Sequence, residues 1–137
     1  MWLAARGITY HGVDVSPVAV DLARDLAERH GLAARCRFEV FDLDEGLSPG
    51  EPVDLILSYL FFDYRLAGSM IERLQPGGLL AIATLSEVGS GPGPHRAAPG
   101  ELIRLFGTLD RLAGDEADGY AWLIGQKPSA RSSVSPA

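Results

Sequence analysis

Cysteine occurs once in the 137 residues, at Cys36, so no disulfide can form within the chain. The three histidines (His11, His30 and His95) lie far apart and join Cys36 in no spacing suited to zinc, so no metal site is expected. Positive charge is also in short supply. Lys and Arg number 12 against 18 Asp and Glu, a net charge of −6 with no basic block, which argues against nucleic acid or anionic membrane as a partner. The longest apolar stretch, GGLLAIATL, is far shorter than the roughly 20 residues a bilayer demands. No basic region, long apolar core and small-residue cleavage site open the chain, so no signal peptide is read and a cytoplasmic setting is expected. What remains is ordinary for a globular protein: 47% hydrophobic and 22% charged residues at the length of one domain. We expect that domain over residues 1–128, followed by a polar, disordered tail, SARSSVSPA, at 129–137.

Residues 8–15, ITYHGVDV, are rich in β-branched side chains and follow Gly7, the pattern of a strand. Ser16 then suits a helix N-cap and Pro17 the first helical position, where a missing N–H costs nothing. Ala19, Leu22, Ala23, Leu26 and Ala27 recur at helical spacing up to Gly31, and CRFEVF at 36–41 alternates as a second strand. Strand, helix and strand at this spacing form a βαβ unit with a right-handed crossover. The pattern repeats with VDLILSYL at 53–60, a helix around 66–74 and LLAIATLS at 79–86. QPGG is read as the stop of that helix, and the nearly continuous apolar run after it as a strand covered on both faces. A Gly/Pro-rich loop, GSGPGPHRAAPG, is read as a mobile lid or substrate loop, and it leads into a short helix at 101–106. The ending, TLDRLAGDEADGYAWLIGQKP, reads as an antiparallel strand pair. The fold class is therefore α/β, a mostly parallel sheet with an antiparallel finish.

Ligands of open α/β sheets bind beyond the carboxyl ends of the strands, which selects a few positions here. Asp14 could accept two hydrogen bonds from a ribose diol, or simply help to cap the following helix. Asp42 could accept from an adenine amino group while the Leu43 N–H serves a ring nitrogen, or could be a solvated loop acid. Ser58 and Tyr59 close the third strand, where a ligand, the core or a turn could use them. No general base can be named. His95 in the loop could deprotonate a substrate or be merely solvated, while His11 and His30 read as structural. Phe61 and Phe62 could line a substrate pocket or pack in the core.

Taken in order, HGVDVSPVAVDLA, FEVFDLDEG, VDLILSYLFFD and LQPGGLLAIAT resemble the class I S-adenosylmethionine-dependent methyltransferases from Gly7 to about Pro128. The closing stretch is similar to the small-molecule branch related to tellurite-resistance methyltransferases. The resemblance implies a Rossmann-like methyltransferase fold, S-adenosyl-L-methionine as cofactor and a small molecule as methyl acceptor. It further implies that Asp14 holds the cofactor ribose, Val15 packs on the adenine and Asp42 and Leu43 read the adenine edge. Ser58 would line the cofactor near the transferred methyl.

Members of that family begin with a strand, a GxGxG-type loop and a helix often ending in something like LAARG. Here Leu3–Gly7 read as that ending, with only Met1 and Trp2 ahead of them, so the first βα unit is expected to be absent and Met1 to lie inside a longer reading frame. The later GSGPGP is no substitute, because it follows the wrong strand and its prolines remove donors. In the family strand order 3-2-1-4-5-7-6 the missing strand is the central one. Each ladder group left buried and unpaired costs about 1–3 kcal/mol, so the flanking strands are expected to pair with each other, borrow a strand, or fold poorly. Methyl transfer by this chain is accordingly expected to be impaired. Two alternatives stand beside it: a non-catalytic nucleoside-binding or interaction remnant, and a nicotinamide dinucleotide-binding domain, whose ribose also suits an acid after the second strand.

Overall fold

The computed structural model describes residues 1–129. Of the expected disordered tail only Ser129 is included, and it is exposed; the remainder lies outside the described residues. The chain forms two compact units, Met1–Pro49 and a second from Gly50 onward.

In the first unit a short 3-10 turn, Ala4–Arg6, ends at Gly7, whose φ of 88° is the left-handed value a helix stop requires. Strand β1 (Tyr10–Asp14), helix α1 (Pro17–Arg29) and strand β2 (Cys36–Val40) follow as the expected βαβ unit. Ser16 caps α1 by accepting a hydrogen bond from the Ala19 N–H at 3.2 Å, and Pro17 occupies the first helical turn. The helix buries Val20 and Ala27. The strands are parallel and in register from Tyr10 beside Cys36 to Asp14 beside Val40. Gly12 lets the Tyr10 and Phe38 rings close to 5.7 Å; a Cβ there would stand 2.9 Å from both side chains.

The second unit contains β3 (Val53–Tyr59), α2 (Ala67–Arg73), β4 (Leu74–Ser86), a two-residue β5 (Arg96–Ala97), α3 (Glu101–Leu105), β6 (Asp110–Ala117) and β7 (Tyr120–Gln126). Its sheet runs β3-β4-β7-β6, with β5 extending the β4 ladder at Leu85 and Ser86. The β3 and β4 strands are parallel, whereas β7 is antiparallel to both β4 and β6. Asp118 and Gly119 join the last pair with φ of 52° and 83°, as a tight hairpin turn needs.

Three expectations are corrected. QPGG does not separate helix from strand: β4 already begins at Leu74, which is 1% exposed and pairs with Val53 across a register shift. The apolar β4 run is fully buried on one face only. Leu80, Ile82, Thr84 and Ser86 are buried, while Leu79, Ala81, Ala83 and Leu85 are half-buried. Finally, β1 and β3 do not pair with each other; among the described residues each has a single neighbour, β2 and β4 respectively.

Candidate functional site

The first unit brings four of the predicted residues to one edge. Because β1 and β2 are parallel and in register, both end on the same side, and the Phe41 N–H donates to the Asp14 carbonyl at 3.0 Å to extend the ladder by one step. Asp14 and Asp42 therefore stand at the carboxyl ends of adjacent strands. Both are exposed. Asp14 accepts the Ser16 N–H on Oδ1 at 2.8 Å, and Asp42 accepts the Asp44 N–H on Oδ1 at 2.9 Å. These are Asx turns, in which an aspartate pins its own rotamer by closing onto the backbone two residues on. The helix-capping role open to Asp14 is filled by Ser16 instead.

Val15 is 64% exposed beside Asp14, an apolar surface at the strand tip. Leu43 opens the 3-10 turn Leu43–Glu45, so its N–H has no acceptor within that turn. One edge thus presents two carboxylates, a backbone donor and an apolar side chain. That set suits the ribose diol, amino group, ring nitrogen and flat face of an adenosine.

Ser58 belongs to the second unit, where its hydroxyl donates to the Phe61 carbonyl at 3.0 Å and shapes the turn after β3. In that turn Leu60 adopts φ 54°, a left-handed conformation that costs an ordinary side chain about 1–2 kcal/mol. It is held there by its N–H donating to the Ala83 carbonyl at 2.8 Å. Nothing in the local sequence signals this, since leucine is a poor candidate for the conformation. Phe61 is 42% exposed and Phe62 half-buried.

Asp63 repeats the Asx device. It accepts the Arg65 N–H at 3.0 Å, and the Arg65 guanidinium donates to both carboxylate oxygens, at 2.6 Å to the nearer. The hydrogen bonds from the Arg65 side chain hold the Asp63 carboxyl below the usual carboxylate range, against the opposing effect of partial burial.

The glycine- and proline-rich loop, expected as a mobile lid, is tied down at its base. The Ser86 carbonyl accepts from Ser90 Oγ at 2.7 Å and from Arg96 Nη1 at 3.1 Å. Ser86 Oγ donates to Glu116 Oε1 at 2.7 Å, and the other oxygen, Oε2, accepts the Gly100 N–H at 2.9 Å. One carboxylate on β6 thereby fixes both ends of the 87–100 segment. His95 is exposed at φ 59° in this segment. His11 pairs with Glu39 at 3.0 Å across the β1–β2 pair, and His30 ends α1, as their structural reading expects.

Two concavities lie beside Cys36 and Phe38 in the first unit and beside Phe106 and Leu123 in the second.

Comparison with known proteins decides the family: residues 1–78 match the methyltransferase domain family. The chain belongs to that family. The two sheet orders, β2-β1 and β3-β4-β7-β6, correspond to the 3-2 and 4-5-7-6 portions of the class I methyltransferase sheet. Over 76 residues this methyltransferase domain is 37% identical to the ribosomal protein L11 methyltransferase of Deinococcus radiodurans, a match covering 52% of this chain and 28% of that protein. TehB from Haemophilus influenzae superposes with a TM-score of 0.81 at 17% identity, over 92% of this chain and 52% of TehB. The N-methyltransferase NodS from Bradyrhizobium japonicum, in complex with S-adenosyl-L-homocysteine, gives 0.69 at 20% identity over 87% and 66% of the two chains. The [4+2]-cyclase SpnF gives 0.75 at 18% identity over 89% and 67%. The chain thus spans under a third of the curated relative and about half of TehB. These solved structures share its fold, and a fold alone does not fix a reaction.

Proposed function

We propose that this domain grips the adenosine half of S-adenosyl-L-methionine at the ends of β1 and β2 and serves methyl transfer to a small molecule. The observation that carries the reading is the pair of Asx-locked carboxylates, Asp14 and Asp42, side by side at the ends of adjacent parallel strands. Asp14 Oδ2 would accept from the ribose diol and Val15 would cover the adenine. Asp42 and the Leu43 N–H would meet the adenine edge. The family resemblance adds Ser58 to the set. When bound, the cofactor supplies an electrophilic methyl group on a sulfonium; the residues of this edge bind and orient rather than react, and none is assigned as catalytic. A cytoplasmic setting, with neither nucleic acid nor membrane as partner, belongs to the same reading.

Calorimetry with S-adenosyl-L-homocysteine and with NAD tests the proposal. Asp14→Asn keeps an oxygen for the Ser16 N–H but loses the charge offered to the diol, so S-adenosyl-L-homocysteine affinity should fall about tenfold or more. Unchanged affinity in that variant refutes the ribose role. Binding of NAD alone identifies a dinucleotide site instead, and binding of neither at millimolar concentration points to a non-catalytic interaction module.

A further inference from the structure

The second unit holds a cavity of about 130 Å³ between α3 and the β6–β7 pair. Its floor is apolar and buried: Phe106 is 3% exposed, Leu109 6% and Leu123 4%. Gly125 of β7 completes the floor. A Cβ there would stand 3.1 Å from the Leu109 side chain, so the two surfaces meet only because the glycine has none. Ile103 and Arg111 stand at the rim. Leu123 pairs with Ile82 and Gly125 with Leu80, which sets the cavity toward the amino-terminal part of β4. The carboxyl end of that strand, at Ser86, lies farther along.

Three features of β6 build Arg111 into this rim. The strand shifts register between Arg111 and Ala113, which leaves Leu112 outside the pairing and sets Arg111 opposite Gly125. Residues paired across a sheet point to the same side, so Arg111 shares the cavity side with Gly125. Gly114 makes room for the side chain, since a Cβ there would stand 3.2 Å from Arg111 Nε. The Gly114 carbonyl then accepts from Arg111 Nη2 at 2.8 Å and fixes the guanidinium. That carbonyl is neutral, and Arg111 has no carboxylate partner among the described residues. An apolar cavity thus ends at a fixed positive charge with donors to spare.

We propose that this cavity binds a small monocarboxylic acid, with its apolar body on Phe106, Leu109 and Leu123 and its carboxylate on Arg111. Size, polarity and charge each narrow the class. An apolar cavity of about 150 Å³ takes up a benzene-sized molecule and stays dry without it. This one is far below the roughly 300–1,000 Å³ of a drug-sized pocket, so a single ring or a short branched chain is the limit. No side chain of the floor carries a hydrogen-bonding group, so a sugar-like body would lose its water without compensation. At the rim, one guanidinium matches one negative charge and offers it charge-assisted hydrogen bonds.

The inference is independent of cofactor binding. Benzoate is the probe, with benzyl alcohol and benzylamine as its neutral and cationic counterparts, titrated into the 137-residue chain and followed by calorimetry and methyl NMR. Benzoate should bind with a Kd of about 0.1–1 mM and shift the Leu109 and Leu123 methyl signals. Arg111→Gln should weaken benzoate about tenfold and leave benzyl alcohol unmoved. Ile103→Trp, which plugs the rim, should abolish benzoate binding. Circular dichroism identifies any variant that fails to fold, and either variant that folds suffices for the test. No benzoate binding at about 10 mM overturns the proposal. Benzyl alcohol or benzylamine binding as tightly as benzoate overturns it too, as do shifts confined to residues outside the cavity, or an affinity that both variants leave unchanged.

Discussion

Glu116 offers the sharpest test of the structural reasoning. Its carboxylate receives two donors from separate parts of the chain, the Ser86 hydroxyl at 2.7 Å and the Gly100 N–H at 2.9 Å. Ser86 is 0% exposed and Glu116 is half-buried, so water replaces the lost acceptor poorly at the hydroxyl and better at the amide. A hydrogen bond to a charged group contributes about 1.5–3 kcal/mol, and a buried donor left alone costs about 1–3 kcal/mol. Discounting the half-exposed portion, Glu116→Ala should destabilise the 87–100 segment by about 2–3 kcal/mol. Glu116→Gln should lie between, because its one carbonyl can serve only one donor while its amide NH₂ confronts the other. Native-state hydrogen exchange at the Gly100 amide reads the effect directly: protection should fall about 30-fold to 160-fold in Glu116→Ala. If Gly100 exchanges at the parent rate in that variant, and urea unfolding moves by less than about 0.5 kcal/mol, the carboxylate does not hold the segment and the reasoning fails.

Two further outcomes follow from single contacts. The depressed Asp63 pKa means the Asp63–Arg65 pair stabilises the fold above the unfolded aspartate value, near 3.9, and that this contribution is lost as pH falls through the folded value. Asp63→Asn should therefore flatten the acid limb of a stability–pH curve below about pH 4 and leave its shape at neutrality unchanged, as urea titrations across pH would show. Gly89→Ala should destabilise by about 1–3 kcal/mol in thermal unfolding, since Gly89 sits at φ 80° and a Cβ there would meet the Asp118 N at 2.9 Å.

Much of the fold is legible because its signals are local. Ser16-Pro17 announces a helix start with a hydroxyl and a fixed φ, and Asp118-Gly119 announces a hairpin with two residues tolerant of positive φ. The site edge is legible for a related reason: once the parallel strands are placed, Asp14 and Asp42 must fall at their carboxyl ends. The rest depends on pairings distant in sequence. QPGG reads as a stop, yet Leu74 pairs with Val53 and draws the strand back through it, a tertiary contact overriding local propensity. The Ser86–Glu116 tie spans 30 residues and leaves no trace in either neighbourhood.

The Asx turns at Asp14, Asp42 and Asp63 share a property with a wider consequence. In each, three consecutive residues settle where the acid points, so the aim of the carboxylate is inherited from the chain rather than negotiated with distant packing. A molecule arriving at such an oxygen finds a rotamer already chosen and forfeits little of the about 0.5–1.5 kcal/mol that freezing a loose side chain normally exacts. A grip assembled from self-aiming tripeptides is also portable. It can survive wholesale drift in the surrounding core, wherever two neighbouring parallel strands still finish side by side.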